Sequence, residues 1–329
     1  MSIHLCLRRV WRQMHESASE PNYVHALFSD ALENVATDWA RYLFPFKINY
    51  EAVFVHKSPI VEFSYGVPKK EKSDKVCPPQ RCEIGDLLWC HFHYQQDGTV
   101  TRRAVLYQAK LKKEFNEEIL SPVIADDLVQ FLLYAHWPKF KYIKGLSGTR
   151  NIRQGKDKFY LPRNGTKYLY LIRPIIRSYF QYEYGGPSSA ATYLASDPLR
   201  LTGSLSVDLV ESLLGFTGDR FKSYPETMRD KDIGWSRVVW DLLKRAYHLK
   251  YTLVSSGVEK EERGRTFGTK PSFYSSSSKS RAWSEVGQAM EQSDDNFFNL
   301  QSEGNGNDGS DGEDANRAVA VIVFETSAD

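Results

Sequence analysis

The sequence has few cysteines and no apolar run long enough to cross a membrane. Its 329 residues include four cysteines, too few for the disulfide framework of a small secreted domain, so we expect reduced thiols. The longest apolar run, residues 318–324, has seven residues, whereas a membrane-spanning helix needs about 20. Arg8, Arg9 and Arg12 interrupt the stretch where a secretory signal would have its apolar core. We therefore expect a cytoplasmic protein with no membrane segment.

Basic residues are missing from one stretch of the chain. Residues 291–316 contain eight Asp or Glu residues and no Lys or Arg, although the net charge of the whole chain is +2. The first 290 residues therefore hold 42 basic and 31 acidic groups. A basic body favours a polyanionic partner, since clustered Lys and Arg displace counterions from phosphates. Charge alone agrees equally well with an ordinary solvated surface joined to an acidic linker.

Hydrophobic periodicity predicts an α/β protein. The predicted order is a helix, three strands, a helix and a strand, which we place at residues 23–44, 52–65 (broken at Pro59), 86–94, 103–111, 122–136 and 167–172. Residues 181–254 are predicted to form a helical region, with helices at 206–216 and 234–251. Residues 255–316 are rich in Ser, Gly, Asn and acidic residues and are predicted to form a disordered insertion. Residues 317–329 are predicted to return to the fold as a terminal strand.

A pair of strands carries the residues of chemical interest. Asp86 opens one predicted strand, and Gln108 and Lys110 close the next; these last two share a face because they are two residues apart. A three- or five-residue turn around Asp97-Gly98 makes paired residue numbers sum to 194 and places Asp86 opposite Gln108. A two-residue turn would put Asp86 on the other face. The functional interpretation therefore requires the longer turn or a bulge.

These three side chains suit phosphodiester hydrolysis. Asp86 offers a hard carboxylate for Mg²⁺ (or Mn²⁺), and Gln108 offers a carbonyl oxygen as a second ligand. Lys110 could stabilise charge at the scissile phosphate or orient the attacking water.

The element order and the motif of Asp86 followed by Gln108-Ala109-Lys110 resemble the PD-(D/E)XK nuclease superfamily in its Gln-x-Lys variety. The resemblance implies an αβββαβ restriction-endonuclease-like core, a mixed sheet flanked by helices, within residues 1–180. It implies that Asp86, Gln108 and Lys110 hold the metal and assist hydrolysis. It also implies a further acidic ligand, for which Glu33 on the first helix and Glu51 are the candidates. Two departures are Gly85 where the family has a proline, and Gln108 in place of a carboxylate.

The resemblance implies a metal-dependent endonuclease that acts on DNA in bacterial defence, with a defence-system partner protein and oligomerisation left open. A second interpretation is a non-catalytic nucleic-acid-binding protein on a degenerate nuclease fold. After the second predicted helix, Lys139, Lys141 and Lys144 are candidate nucleic-acid contacts, while we expect the interleaved aromatic residues to fill the core.

A third interpretation is a zinc-stabilised interaction module. Cys77, Cys82, Cys90, His91 and His93 offer thiolates and imidazoles within a short span. Their spacing is not that of a Cys-x2-Cys knuckle, and Cys90 and His91 alternate faces on the predicted strand. We therefore favour buried thiols and partly exposed imidazoles over a zinc site.

Overall fold

A computed structural model describes residues 20–26, 32–42, 46–55, 59–64, 79–112, 125–152, 165–172, 193–195, 203–204, 218–229, 234–255, 272–276, 280–292 and 319–327. The helices in these ranges are α1 Glu20–Ala26, α2 Leu32–Tyr42, α3 Ala125–His136, α4 Tyr224–Arg229, α5 Trp235–Ser255 and α6 Arg281–Glu291. The strands are β1 Lys47–Phe54, β2 Ile60–Phe63, β3 Gln80–Glu83, β4 Leu87–Tyr94, β5 Val100–Lys112, β6 Phe140–Lys144, β7 Thr149–Arg150, β8 Thr166–Ile172, β9 Tyr193–Ala195, β10 Gly203–Ser204, β11 Asp219–Arg220, β12 Ser272–Ser275 and β13 Ala320–Ser327. The protein is thus of mixed α/β class.

The strands form two sheets. The larger sheet has nine strands in the order β10-β9-β8-β5-β4-β13-β1-β12, with β11 also paired to β5. It is a mixed sheet, because β8 runs parallel to β5 and β13 runs parallel to β4, while its other described pairs are antiparallel. The smaller sheet has the order β3-β2-β6-β7.

Helices flank the larger sheet. Apolar residues of α5 and α6, such as Trp240 and Val286, share one core with Leu88 of β4 and with the smaller sheet. On the opposite face, Trp39 of α2 contacts Phe324 of β13, which stacks on Trp89 of β4 at 4.4 Å between ring centroids. No helix in the described ranges has both the length and the apolar character needed to cross a lipid bilayer.

The C-terminal strand lies in the middle of the larger sheet. β13 is paired with β4 on one side and with β1 on the other, and its residues 320–326 are buried. The predicted αβββαβ order did not include a strand between these two. β1 therefore has no direct pairing with β4, since hydrogen bonds to β13 occupy that edge of each strand.

Two segments within residues 255–316 are structured, so the expectation of a disordered insertion is wrong for 272–276 and 280–292. β12 pairs with β1, and Tyr274 is buried. Helix α6 buries Ala282, Trp283, Val286 and Ala289 and begins at the N-cap Ser280. Apolar residues at helical spacing behind a Ser N-cap are a helix signal that the surrounding polar composition obscured. Residues 256–271, 277–279 and 293–318 lie outside the described ranges.

Other predicted elements have different bounds in the structure. The single helix expected at 23–44 is described as α1 and α2, and residues 27–31 between them lie outside the described ranges. The region 181–254 contains the short strands β9, β10 and β11 as well as α4 and α5, so it is not purely helical where it is described. The helix expected at 206–216 lies outside the described residues.

Buried carboxylates attach the helices to the sheets. The Glu325 carboxylate of β13 accepts hydrogen bonds from Ser280 Oγ (3.1 Å), Ala282 N (3.1 Å) and Arg281 Nε (3.2 Å) at the start of α6. A carboxylate is stabilised there because the first backbone N–H groups of a helix lack intrahelical acceptors. Arg150 of β7 pairs with the buried Asp241 of α5 and so connects the smaller sheet to this helix.

The burial of α6 gives a direct test of its role in the fold. Trp283 is 5% exposed, whereas Gln288 on the same helix is exposed. Trp283→Ala should lower the free energy of unfolding by about 3–5 kcal/mol, because a large buried side chain is lost. Gln288→Ala should change it by less than ~0.5 kcal/mol. Urea unfolding followed by circular dichroism measures both, and equal midpoints for wild type and Trp283→Ala would contradict the packing of α6.

Candidate active site

The hairpin β4–β5 brings Asp86 beside Gln108. Leu87 pairs with Tyr107 and Tyr94 with Val100, so paired residue numbers sum to 194, the register that the longer turn requires. The connecting loop is closed by Gln95 N donating to Thr99 O at 2.9 Å, and Gly98 has a φ of +82°, a conformation that glycine adopts without steric cost. Asp86 therefore stands at the start of β4, across from Gln108.

The Asp86 carboxylate makes two contacts with the end of β5. Its Oδ2 accepts hydrogen bonds from Gln108 Nε2 and from the backbone N of Ala109, the latter at 2.7 Å. Gln108 is 2% exposed, while Asp86 and Lys110 are half-buried. Lys110 lies on the strand face of Gln108, as its spacing predicts. The structure thus brings Asp86 and Gln108 into contact and places Lys110 on the same side of the sheet.

Helix α3 contributes two residues that the sequence reasoning missed. Gln130 Nε2 donates to Gln108 Oε1 and to the backbone oxygen of Glu83, the latter at 2.8 Å. Tyr134, one helical turn later, donates its hydroxyl to the backbone oxygen of Ile84 at 2.8 Å. Both side chains therefore hold the segment leading to Asp86. The sequence feature that could have identified them is two polar groups, four residues apart, on an otherwise apolar helix.

The glycine that precedes Asp86, Gly85, has a packing reason. A Cβ at Gly85 would lie 2.7 Å from Leu106 Cδ1 and 2.9 Å from Tyr134 Oη. Real Cβ atoms do not approach other atoms this closely, so only glycine lets α3 and β5 pack against this segment. Burial raises the pKa of Tyr134 well above its ordinary value, and the neighbouring Tyr168 and the Asp86 charge raise it further. The phenol therefore remains a hydrogen-bond donor.

Glu51 is not brought to this site. It is buried on β1 and forms an ion pair with Lys250 of α5. Across β13 it lies level with Cys90, which is four residues from Asp86, or roughly 13 Å along a strand. The register sets this distance along the strand, and β13, which lies between β4 and β1, adds a sideways separation.

Glu33 belongs to α2, and its side chain lies outside the described residues. The helix packs through Trp39 on the face of the sheet that carries Trp89 and Phe324. Gln108 lies on the other face, together with Leu88 and Leu106. Helix α2 therefore lies on the side of the sheet opposite to Gln108.

The donor set that remains is small but suits a hard cation. Among the described residues, no three His, Cys, Asp or Glu side chains converge. Asp86 has a carboxylate and Gln108 an amide carbonyl, which are oxygen donors of the kind that Mg²⁺ binds. In this structure the Gln108 oxygen accepts from Gln130, and its nitrogen faces Asp86. Mg²⁺ commonly keeps several water ligands and uses one or two carboxylates, so this set is compatible with it.

The cysteine and histidine residues considered for zinc do not converge where they are described. Cys82 lies in the smaller sheet and Cys90 in the larger one. Thr326 Oγ1 lies 2.8 Å from His91 Nε2 and 2.8 Å from His93 Nδ1, on the sheet face opposite to Cys90. Cys77 lies outside the described residues.

The lysines considered for nucleic acid lie on and next to β6. Lys139 and Lys141 are exposed and Lys144 is half-buried. The interleaved aromatic residues Trp137, Phe140 and Tyr142 are at most 2% exposed, so the prediction that they fill the core is confirmed. Lys141 pairs across the strands with Glu62, which forms an ion pair with Arg81 at 2.7 Å. This surface therefore carries charges of both signs.

A cavity of about 800 Å³ lies at the other end of the β4–β5 hairpin, lined by residues such as Tyr94, Arg102, Lys250 and Glu285. Arg102 pairs with Glu285 at 2.9 Å, and Lys250 pairs with Glu51. Because these charged groups pair with one another, this cavity does not offer the chemistry found at Asp86.

Comparison with known proteins gave no match, whether with protein-family models, curated proteins or solved structures. The candidate function therefore rests on the geometry of Asp86, Gln108 and Lys110.

Thiol reactivity tests the burial around the site. Burial, followed by the charge of Glu83, raises the pKa of Cys82 to about 12, with Lys110 acting in the opposite direction, and burial also raises the pKa of Cys90. In a variant with both Cys6 and Cys77 changed to serine, the two remaining thiols should react slowly with a disulfide reagent at pH 8, because little thiolate forms. Both should react quickly in urea. Rapid two-thiol labelling of the native variant would contradict this geometry.

Proposed function

We propose that this protein is a Mg²⁺-dependent endonuclease that hydrolyses phosphodiester bonds in DNA. The observation that carries the proposal is the contact between Asp86 and Gln108 across the β4–β5 hairpin, with Lys110 two residues further on the same strand face. This is the arrangement that the PD-(D/E)XK resemblance requires of its Gln-x-Lys variety. The bacterial defence context, and any partner protein, come from that resemblance.

The fold around the hairpin is compatible with a restriction-endonuclease-like core. After β5 the chain passes through α3 and returns as β8, parallel to β5. Together with the antiparallel β4–β5 pair, this supplies the second half of the proposed αβββαβ order. The contribution of α3 to the site through Gln130 also supports this interpretation, because it ties the crossover helix to the candidate ligands.

Each residue has a proposed role. Asp86 and Gln108 would hold the cation through a carboxylate and a carbonyl oxygen. A bound Mg²⁺ supplies a Lewis acid that lowers the pKa of water and offsets charge on the phosphate. The ammonium group of Lys110 would stabilise negative charge that develops on the scissile phosphate. Lys139 and Lys141, exposed beside the site's helix, would contact the DNA backbone.

One observation favours a second candidate, a non-catalytic nucleic-acid-binding protein on the same fold. Gln108 presents its amide nitrogen, not its oxygen, to Asp86. A donor in that position satisfies the carboxylate without a cation. The two candidates differ in Mg²⁺-dependent cleavage, since the second should bind DNA but leave plasmid intact.

Lys110→Ala tests the catalytic assignment. Nicking of supercoiled plasmid in Mg²⁺ should fall roughly 100-fold or more, the scale lost when one preorganised charge-stabilising group is removed. The free energy of unfolding should change by less than about 1 kcal/mol, because the side chain is only half-buried. Lys222→Ala, which removes an exposed lysine away from the site, is the matched control. Undiminished cleavage by folded Lys110→Ala would refute the assignment.

Metal affinity tests the two proposed ligands separately. Asp86→Asn should weaken Mn²⁺ binding more than Gln108→Ala does, because it removes the only formal negative charge of the pair. Calorimetric titration of both variants and of wild type gives the comparison. Equal affinity for wild type and Asp86→Asn would exclude Asp86 as a ligand.

A further inference from the structure

A chain of three hydrogen bonds runs through the site. It begins at the backbone oxygen of Glu83, which accepts from Gln130 Nε2 at 2.8 Å. The same nitrogen donates its second hydrogen to Gln108 Oε1, and Gln108 Nε2 then donates to Asp86 Oδ2. Gln130 thus donates to both of its neighbours through one nitrogen, whereas Gln108 accepts through its oxygen and donates through its nitrogen.

The two ends of this chain determine the orientation of both amides. A backbone carbonyl can only accept, so Gln130 must present its nitrogen to Glu83. That nitrogen also faces Gln108, which must therefore offer its oxygen to Gln130. The nitrogen of Gln108 is left facing Asp86, whose ionised carboxylate can only accept. Donor and acceptor alternate without conflict from one end of the chain to the other.

This orientation opposes the ligand role of Gln108. For its oxygen to reach a cation beside Asp86, the amide must turn by half a turn about its last torsion. Gln108 would then direct its nitrogen at the nitrogen of Gln130, two donors facing each other. Gln108 is 2% and Gln130 5% exposed, so bulk solvent does not replace the lost hydrogen bond.

We propose that Gln130 is a positioning residue that holds the Gln108 amide in the orientation closed to divalent cations, and that cation binding at Asp86 requires this hydrogen bond to break. The inference rests on the proposed function, in which Asp86 and Gln108 hold the cation. In the resting state, the amide nitrogen of Gln108 and the backbone N of Ala109 donate to Asp86 Oδ2. The protein's own donors thus compete with a cation for this carboxylate. Cation uptake is then coupled to the position of α3, which Tyr134 anchors to Ile84.

Mn²⁺ titration of Gln130 variants by calorimetry tests the proposal. Gln130→Leu removes the donor that holds Gln108 Oε1, and it should tighten Mn²⁺ binding roughly threefold to tenfold, the scale of one hydrogen bond. Gln130→Met removes the same donor with an apolar side chain of similar length and no added charge, and it should tighten binding to the same extent. Gln288→Leu, on the exposed face of α6, should leave affinity unchanged.

A double variant separates positioning from a merely structural role. In a Gln108→Ala background, Gln130→Leu should give no gain in Mn²⁺ affinity, because no amide remains to be released. A gain of equal size with and without Gln108 would overturn the proposal. Circular dichroism establishes that each variant is folded, and if Gln130→Leu is not, Gln130→Met carries the same comparison.

The outcomes distinguish this inference from the proposed function. If Gln130→Leu and Gln130→Met bind Mn²⁺ no more tightly than wild type, while binding still depends on Asp86, the restraint is refuted and the metal site stands. If neither wild type nor any Gln130 variant binds Mn²⁺, the metal site itself is refuted, and the restraint with it.

Discussion

The pairing of β13 between β1 and β4 is the contact on which the larger sheet depends. β13 runs parallel to β4 from Ala320 to Ser327 and antiparallel to β1 along nearly the same length. At its start, the N–H of Ala320 donates to the carbonyl oxygen of Asp86 at 3.1 Å, while the N–H of Asp86 donates to the carbonyl oxygen of Tyr107 at 2.8 Å. The backbone of the candidate ligand is therefore held from both neighbouring strands, and one of these comes from the far end of the chain.

The candidate site is built from buried amides as much as from charges. Leaving a buried polar group without a partner costs about 1–3 kcal/mol, so Gln108 and Gln130 strongly favour the arrangement in which both are satisfied. Gly85 makes this arrangement possible, since any side chain there would push α3 away from β5. The same closeness that positions Asp86 also brings a competing donor to it. This gives Asp86 a well-defined resting geometry, and on the proposal above it also lowers the affinity of the site for a cation.

The acidic residues of the chain have roles that depend on what faces them. Glu325 receives three hydrogen bonds at the start of α6 and attaches that helix to β13. Glu51 is neutralised by Lys250, and Asp241 by Arg150 and Arg237. Such pairs occupy buried carboxylates that would otherwise be plausible metal ligands. The Oδ2 atom of Asp86, in contrast, accepts its hydrogen bonds from a neutral amide and a backbone N–H.

The sequence by itself determined the local features of this protein. The alternation of side chains limits Asp86 to one of two faces of the sheet. The length of the turn decides which face, and the longer turn places Asp86 opposite Gln108. Helical periodicity similarly located α5. The aromatic residues that follow α3 were expected to be buried because large aromatic side chains fill cores, and they are buried. These features depend on residues close together in the chain, where periodicity and turn chemistry act directly.

Only the tertiary structure decided which distant elements meet. The place of β13 between β1 and β4 moved Glu51 away from Asp86, and the closeness of α3 added Gln130 and Tyr134 to the site. The apolar face of α6 and the strand β12 were hidden within a polar, Ser-rich stretch, and their packing depends on partners early in the chain. Hydrophobic period shows which face a residue occupies, but it does not specify the neighbouring strand or helix. Strand order and helix docking depend on non-local hydrogen bonds and packing, which form only when the whole sheet is assembled.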